Sequence, residues 1–392
     1  MKLLQNKLEL AARLFFAKDS FDPVTNEIQA DKLPEVKLYR QFTSEHNPNA
    51  ALNMYLNANG KGWVILSGDD NLPAVWADTD DVITEKGDCP PFEMLMDMYL
   101  RDMENMLEKI ERSAGKNDEE SLAFMQTIAA NQDKWERLFA GEIQQRPSLC
   151  GTINDPNCRT YLMSSEWKQT GYYNNHVNKF CKELKSAKDE YIVGCGAVAV
   201  AQILRQRAKA KNKTIKFHGN VKYRWDRAGI EIDHSFKSEN EYDPTVQVDV
   251  IWPHTSWKAT DEVTKCLRDV AIMIKANFGT DATSSNIYNS ADGIKNHIVG
   301  GKHGSIKHLG PDFWQPLKEC VGWRQCPVLV RGTHYKTGGG HAFVIDGVDG
   351  ISVWDCYYHF NMGWGSTPGF NFWGLGSDFS NDMVAVLDID AG

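Results

Sequence analysis

The chain has 392 residues, long for one domain and suited to two. A composition of 42% hydrophobic and 24% charged residues is that of a globular protein able to bury a sizeable core. A net charge of −9, with no basic block beyond "RQRAKAKNK" (205–213), argues against nucleic-acid binding, and no stretch approaches the roughly 18 uninterrupted apolar residues of a membrane helix.

In chain order, Leu4, Leu8, Ala11 and Phe15 recur at helical spacing and predict an amphipathic first helix. Lys7 and Glu9 interrupt any secretory apolar core, so this start is not a signal peptide as it stands; the protein is expected either to be cytosolic or to have lost its signal. Three β-like runs follow, "VKLYRQFTS" (36–44), "ALNMYLNA" (51–58) and "GWVILSG" (62–68), with a hairpin turn at "NANGKG". The paired Asp69 and Asp70 read as a turn, because aspartate and asparagine favour tight turns. "CPPFEMLMDMYLRDMENMLEKIER" opens on prolines at the helix-start position, and a second helix is expected over 118–142.

These elements make a first α+β unit over 1–142. Residues 143–163 carry turn residues and no period, which predicts an exposed linker open to proteolysis. The second unit, 164–392, begins with a helix from Cys195 to about Ala210 and weak strands over 214–257. A helix over 260–279 follows, capped by Thr260 or Asp261. The final strands, "CPVLVRG", "HAFVIDG", "ISVWDCYYHFN", "GFNFWGL" and "DMVAVLDI", are joined by short turns and imply an antiparallel sheet or open barrel. The fold class is therefore α+β in both units.

The nine cysteines, Cys89, Cys150, Cys158, Cys181, Cys195, Cys266, Cys320, Cys326 and Cys356, suit one free thiol and up to eight paired ones, or scattered buried thiols in a reducing compartment. Cys150/Cys158 and Cys320/Cys326 are close enough in sequence to bridge. No CxxC occurs, so zinc-ribbon and thioredoxin readings lack their spacing. His297, His303 and His308 fit no common zinc pattern and read as a solvated loop, and no metal or cofactor is expected.

In "VGCGAVAVAQILRQ" (193–206) Cys195 stands where an apolar strand ends and a helix begins. A helix N-terminus offers free N–H groups and a positive dipole end, both of which favour a thiolate nucleophile. Such a nucleophile needs a base, an orienter for the base and an oxyanion hole. In "GGGHAFVIDGVDG" (338–350), His341 follows glycines, including Gly339 and Gly340, that leave the backbone free to bend and give room to a substrate chain. A turn at Asp349-Gly350 places His341 opposite Tyr358. Asn361 then lies three residues further, roughly 10 Å along the strand, so the chain must bend for it to touch the imidazole.

"GCGAVAVAQI", "GGHAFVIDGVDG" and "HFNMGWG" together resemble the streptopain family of papain-like cysteine proteases. Its nucleophile heads a helix written Gly-Cys-x-Ala-x-Ala-x-Ala-Gln, its histidine opens a strand after Gly-Gly, and Asn-Trp-Gly-Trp-Gly closes the site. "EWKQTGYYNN" (166–175) is similar to the stretch whose Gln lines the oxyanion hole, and "GKGWVILSGDDNLPAVWADTD" resembles the propeptide of secreted zymogens. The resemblance implies a papain-like catalytic domain, helical subdomain plus antiparallel sheet, behind an inhibitory prodomain. It makes Cys195 the nucleophile, His341 its base, Asn361 the orienter and Gln169 the oxyanion donor. Gly196, Gly339, Gly340, Met362 and Trp364 are expected along the substrate cleft, with Trp373 near it. Gly196 is expected to leave the floor beside the sulfur open. Two departures stand out: Met362 replaces the family's Trp, and Gly196 replaces a larger residue.

The implied function is a secreted, periplasmic or cell-surface cysteine endopeptidase zymogen. Its partners would be protein or peptide substrates, with a preference for hydrophobic residues before the scissile one, and its own prodomain. Two other classes carry the same groups: a weakened relative retained as a surface-binding protein, and an acyl transferase using the same Cys–His chemistry.

Overall fold

The computed structural model describes residues 2–17, 30–82, 90–116, 118–140, 161–185, 190–237, 240–334, 338–349, 357–365, 371–374 and 381–392. The linker expected over 143–163 falls mostly outside them. The chain divides into two units, Met1–Leu149 with Phe372–Asp378, and Cys150–Asn371 with Phe379–Gly392.

In the first unit, α1 (Gln5–Phe15) buries Leu8, Ala11, Ala12, Leu14 and Phe15. Leu4 does not join this face. It is the N-cap and stays 68% exposed, because the helical turn begins only after it. Strands β1 (Val36–Thr43), β2 (Ala51–Asn57), β3 (Lys61–Ser67) and β4 (Val75–Val82) pair antiparallel in sequence order. Gly60 takes a φ of 77° in the β2–β3 turn, and the Asp69 carboxylate accepts from the Asn71 N–H at 3.0 Å, forming the expected turn. β4 has no period-2 signal in the sequence. Val75, Trp76, Ala77, Asp78 and Thr79 are all buried, so both of its faces are covered and alternation is lost. Trp373 and Gly374 pair with Asp78 and Ala77 on this strand. Two long helices complete the unit, α2 (Pro90–Ser113) and α3 (Glu119–Phe139), the second capped by Asp118, which accepts from the Ser121 N–H at 2.8 Å.

The second unit opens with α4 (Asn175–Lys185) and α5 (Cys195–Ala210). Short strands β5 (Ile215–Lys216) and β8 (Glu241–Tyr242) pair with each other, as do β6 (Asn220–Trp225) and β7 (Ile230–Ser235). Helix α6 (Trp257–Met273) starts earlier than expected, because the Ser256 hydroxyl caps it by accepting from the Ala259 N–H. Next come α7 (Ile287–His297), β9 (Gly301–Lys302), β10 (Ile306–His308) and α8 (Trp314–Lys318), the last running into a wide turn over Glu319–Trp323. Strands β11 (Val328–Thr333), β12 (Gly340–Asp349), β13 (Tyr357–Asn361) and β15 (Asn381–Val386) form an antiparallel sheet with β10, ordered β13-β12-β11-β15-β10. β14 is Asn371–Gly374, and β16 (Asp390–Ala391) pairs with β9.

Helix α5 packs on this sheet, chiefly on β12. Ala199, one turn beyond Cys195 on the same face, is fully covered, and its small side chain lets helix and strand approach closely. Gly194 caps α5 with a φ of 95°, and a Cβ there would lie 2.8 Å from Thr283 Cγ2. Gly194→Ala is therefore expected to destabilise the unit by about 2–3 kcal/mol, read from urea midpoints, because it adds backbone strain to a steric overlap.

The register of the β12–β13 hairpin differs from the sequence expectation. Asp349 pairs with Tyr357 and Val344 with Asn361, with a bulge between Ile345 and Gly347. The pairing of Asp349 with Tyr357 excludes a two-residue turn centred on Asp349-Gly350, and residues 350–356 lie outside the described residues. His341 is not opposite Tyr358; it pairs with Gly332 on β11.

Candidate active site

Cys195 is the first residue of α5, and the backbone N–H of Ala342 on β12 donates to its Sγ at 3.4 Å. The thiol thus lies against the residue that follows His341. The imidazole is buried, stacks on Trp364 with ring centroids 4.4 Å apart, and has its Nε2 2.9 Å from the Met362 carbonyl oxygen. A carbonyl only accepts, so Nε2 carries a proton in this contact, and in the neutral ring Nδ1 is the basic nitrogen.

Burial pushes the His341 pKa down to about 4, opposed in part by the Met362 carbonyl. Burial likewise pushes the Cys195 thiol up, although the N–H groups of Ala342, Gly196 and Cys195 itself favour the thiolate. The packing therefore favours a neutral thiol and imidazole over the ion pair expected from the helix dipole, since desolvation outweighs the backbone donors. One consequence is measurable. Between about pH 6.5 and 4 the unfolded chain binds more protons at this histidine than the folded one. The stability from burying His341 neutral is full above about pH 6.5 and is lost as pH falls towards 4, by up to about 3 kcal/mol. Urea unfolding across that range is expected to show this loss in the parent chain and a flatter profile in His341→Gln.

Asn361 does not reach the imidazole by any of its described bonds. Its Oδ1 accepts from the Gly363 N–H at 3.1 Å and from Gln202 Nε2 at 3.2 Å, and its Nδ2 donates to the Ser165 carbonyl at 2.7 Å. Its hairpin register sets it opposite Val344, three positions along β12 from His341. What it fixes is the Met362–Gly363 peptide, whose carbonyl in turn holds the ring. Gln202, which the sequence reading did not single out, is fully buried, and its Oε1 accepts from the Trp167 N–H at 3.1 Å. It stands seven residues, two helical turns, beyond Cys195, so the i, i+7 spacing places both on one helix face; that spacing was the available signal. Lys168 then bridges to Trp364, and the Gly365 N–H donates to the Trp167 carbonyl at 3.3 Å. Gln169 follows directly and is half-buried. Its carbonyl shares the Val193 N–H with Asn174 Oδ1, which ties it to the segment entering Cys195.

The family model for the peptidase C10 family matches residues 167–370, more than half of the chain. The chain belongs to this family. It is a cysteine-type peptidase, a hydrolase, of the streptopain type. Among solved structures, a prointerpain A fragment from Prevotella intermedia superposes with a TM-score of 0.57 at 16% identity, covering 90% of this chain and 98% of that one. The active interpain A cysteine protease of the same organism gives 0.46 at 19% identity over 58% of this chain and 93% of that one. No curated protein sequence matches. The α+β architecture is that of the papain-like C10 fold.

Set against the C10 pattern, the Met362 side chain is buried, and the ring on the imidazole is that of Trp364, two positions later. Gly196 does not open a space beside the sulfur. A Cβ there would meet Ser285 Oγ at 2.2 Å, so the glycine admits a close approach by that serine. Ser285 also lines a cavity of about 510 Å³ with Ile287, Tyr288, Arg331 and Met383. Gly339 and Gly340 are exposed at the start of β12. The Trp373 side chain lies outside the described residues. The histidines expected in one loop are separate: His297 ends α7, His308 is on β10, and each ring nitrogen described for His297, His303 and His308 meets a different group. Among the described residues, no helix is long and apolar enough to cross a membrane.

Proposed function

We propose that the chain is the zymogen of an exported cysteine endopeptidase in which Cys195 is the nucleophile and His341 the base. The observation that carries this reading is the Ala342 N–H donating to Cys195 Sγ, which sets the start of the histidine's strand against the sulfur. In the reaction the Cys195 thiol passes its proton to His341 Nδ1 as sulfur attacks the peptide carbonyl. The tetrahedral oxyanion is stabilised by the backbone N–H of Cys195 and the Gln169 side chain. The imidazolium then protonates the leaving amine, and water, deprotonated by the same nitrogen, hydrolyses the thioester. Met362, through its carbonyl, keeps the other ring nitrogen protonated throughout, and Asn361 positions that carbonyl. Ser285, which approaches Gly196 next to the nucleophile, also lines a cavity of mixed polar and apolar walls that includes Ile287, Arg331 and Met383 and has room for a substrate side chain.

The zymogen reading assigns 1–142 to an inhibitory prodomain, 143–163 to the processing region and 164–392 to the catalytic domain. The likeness to a proenzyme fragment over 90% of the chain supports it. Incubated at high concentration, the 44.3 kDa chain is expected to convert itself to a smaller active form. At about 110 Da per residue that form has roughly 25–28 kDa. Cys195→Ala should stay intact. N-terminal sequencing of the species that reacts with a thiol-directed epoxide probe locates the cleaved bond. A processed chain whose Cys195 resists alkylation near pH 7 would overturn the assignment.

A further inference from the structure

Cys320 and Cys326 stand outside the catalytic machinery, and both are buried. Cys320 lies in the wide turn over Glu319–Trp323, and Cys326 precedes β11 by two residues. The segment between them doubles back sharply: Gln325 takes a φ of 52°, and the Cys326 N–H donates to the Cys320 carbonyl at 3.0 Å. The loop is pinned from outside as well. Arg207, near the end of α5, donates to the Gln325 carbonyl at 2.9 Å, and Arg324 donates to Asp388 Oδ1 at 2.6 Å. The two sulfurs and a carboxylate oxygen of Asp388 all lie within 4.8 Å of one another.

We propose that Cys320 and Cys326 are the two ends of a disulfide, closed under oxidising conditions by exchange with a small-molecule disulfide such as oxidised glutathione. The backbone is already folded back on itself, so the bond requires side-chain movement rather than chain rearrangement. The thiols give up weak hydrogen bonds to the Cys326 and Ile389 carbonyls and to Asp388 Oδ1, while the Asp388 N–H that donates to Cys320 Sγ at 3.4 Å can still meet a disulfide sulfur. A metal is the competing occupant of the same cluster, and the charges disfavour it. The Asp388 carboxylate is already neutralised by Arg324, and a dication would sit beside that guanidinium. Among the described residues, two sulfurs and one such oxygen also leave a tetrahedral site without a fourth protein ligand.

The exchange balances in two steps. The Cys326 thiol gives its proton to solvent, and the thiolate attacks one sulfur of glutathione disulfide. A Cys326–glutathione bond forms, and one glutathione thiolate leaves. Cys320, deprotonated in turn, attacks the Cys326 sulfur, closes the protein disulfide and expels the second glutathione. Two electrons pass from the protein to the glutathione disulfide, and both released thiolates take up protons. The order of attack follows from the surroundings. The Cys320 side chain and Arg207 pull the Cys326 thiol down, whereas contact with Cys326, together with burial, pushes Cys320 up. Both sulfurs are buried, so exchange takes place while the loop is open, and closure then shields the bond.

The test uses the full-length Cys195→Ala chain, which removes the reactive nucleophile. After incubation with glutathione disulfide, acid quenching, alkylation and digestion, a peptide linking Cys320 to Cys326 and lighter by two hydrogens is expected. Reductant should lower the melting temperature of this chain by roughly 5 °C more than that of the same chain carrying Cys320→Ser. Complete alkylation of both thiols after oxidation, a bond from either to another cysteine, or one equivalent of zinc that blocks alkylation until chelated would each overturn the proposal.

Discussion

Cys195→Ala is expected to reduce turnover of a peptide substrate by a factor on the order of 10⁴–10⁶, and His341→Ala by a similar factor. The two groups act as one unit, so the double variant should be scarcely worse than either alone. Without the sulfur there is no covalent intermediate. Without Nδ1 the thiol, whose pKa burial already raises, has no acceptor for its proton. Circular dichroism should show both variants folded, since Cys195 has only a small side chain to lose and His341 stands at the start of β12, whose pairing with β11 is made by the backbone. Parent-like turnover in either variant would remove the proposed chemistry while leaving the family assignment untouched.

Gln202→Leu is the second large effect. Leucine nearly fills the volume but leaves the Trp167 N–H without an acceptor and takes one of two donors from Asn361 Oδ1, in a fully buried setting. Each buried polar group left unpaired costs about 1–3 kcal/mol, so a stability loss of about 2–4 kcal/mol is expected from denaturant unfolding. The catalytic loss should be about 10²-fold and fall on kcat more than on KM. Gln202 touches no substrate; it links the strand carrying the Met362 carbonyl to the segment carrying Gln169. Gln202→Glu, which keeps the Oε1 acceptor, should recover part of the fold but not the donor to Asn361. A variant that lost stability while keeping kcat would reduce Gln202 to a packing role.

The parts of the site legible in the sequence were those carried by local pattern. The run of small residues after Cys195 reads as a helix that another element approaches, and Ala199, on the Cys195 face of α5, is fully covered where the helix packs on β12. Glycines before His341 mark the start of a strand, and β12 begins at Gly340. What escaped has a definite cause in each case. β4 is covered on both faces, so it carries no alternation. The β12–β13 register depends on how many residues the reversal takes up, and an Asp-Gly pair at the end of a strand mimics a tight turn that is not used. Gln202 looks like an ordinary polar residue of an amphipathic helix until the chain segments near Trp167 and Asn361 are brought to it.

By itself, the order of residues determined the family and the α+β class, and it named the side chains proposed to react, because those depend on residue type and on spacing within single elements. Tertiary structure alone decided that the Met362 main-chain carbonyl meets the imidazole, and that burial pushes the His341 pKa down and the Cys195 thiol up. Both outcomes come from how closely distant segments pack and how much water that packing removes, and neither quantity is written in any local stretch of the chain.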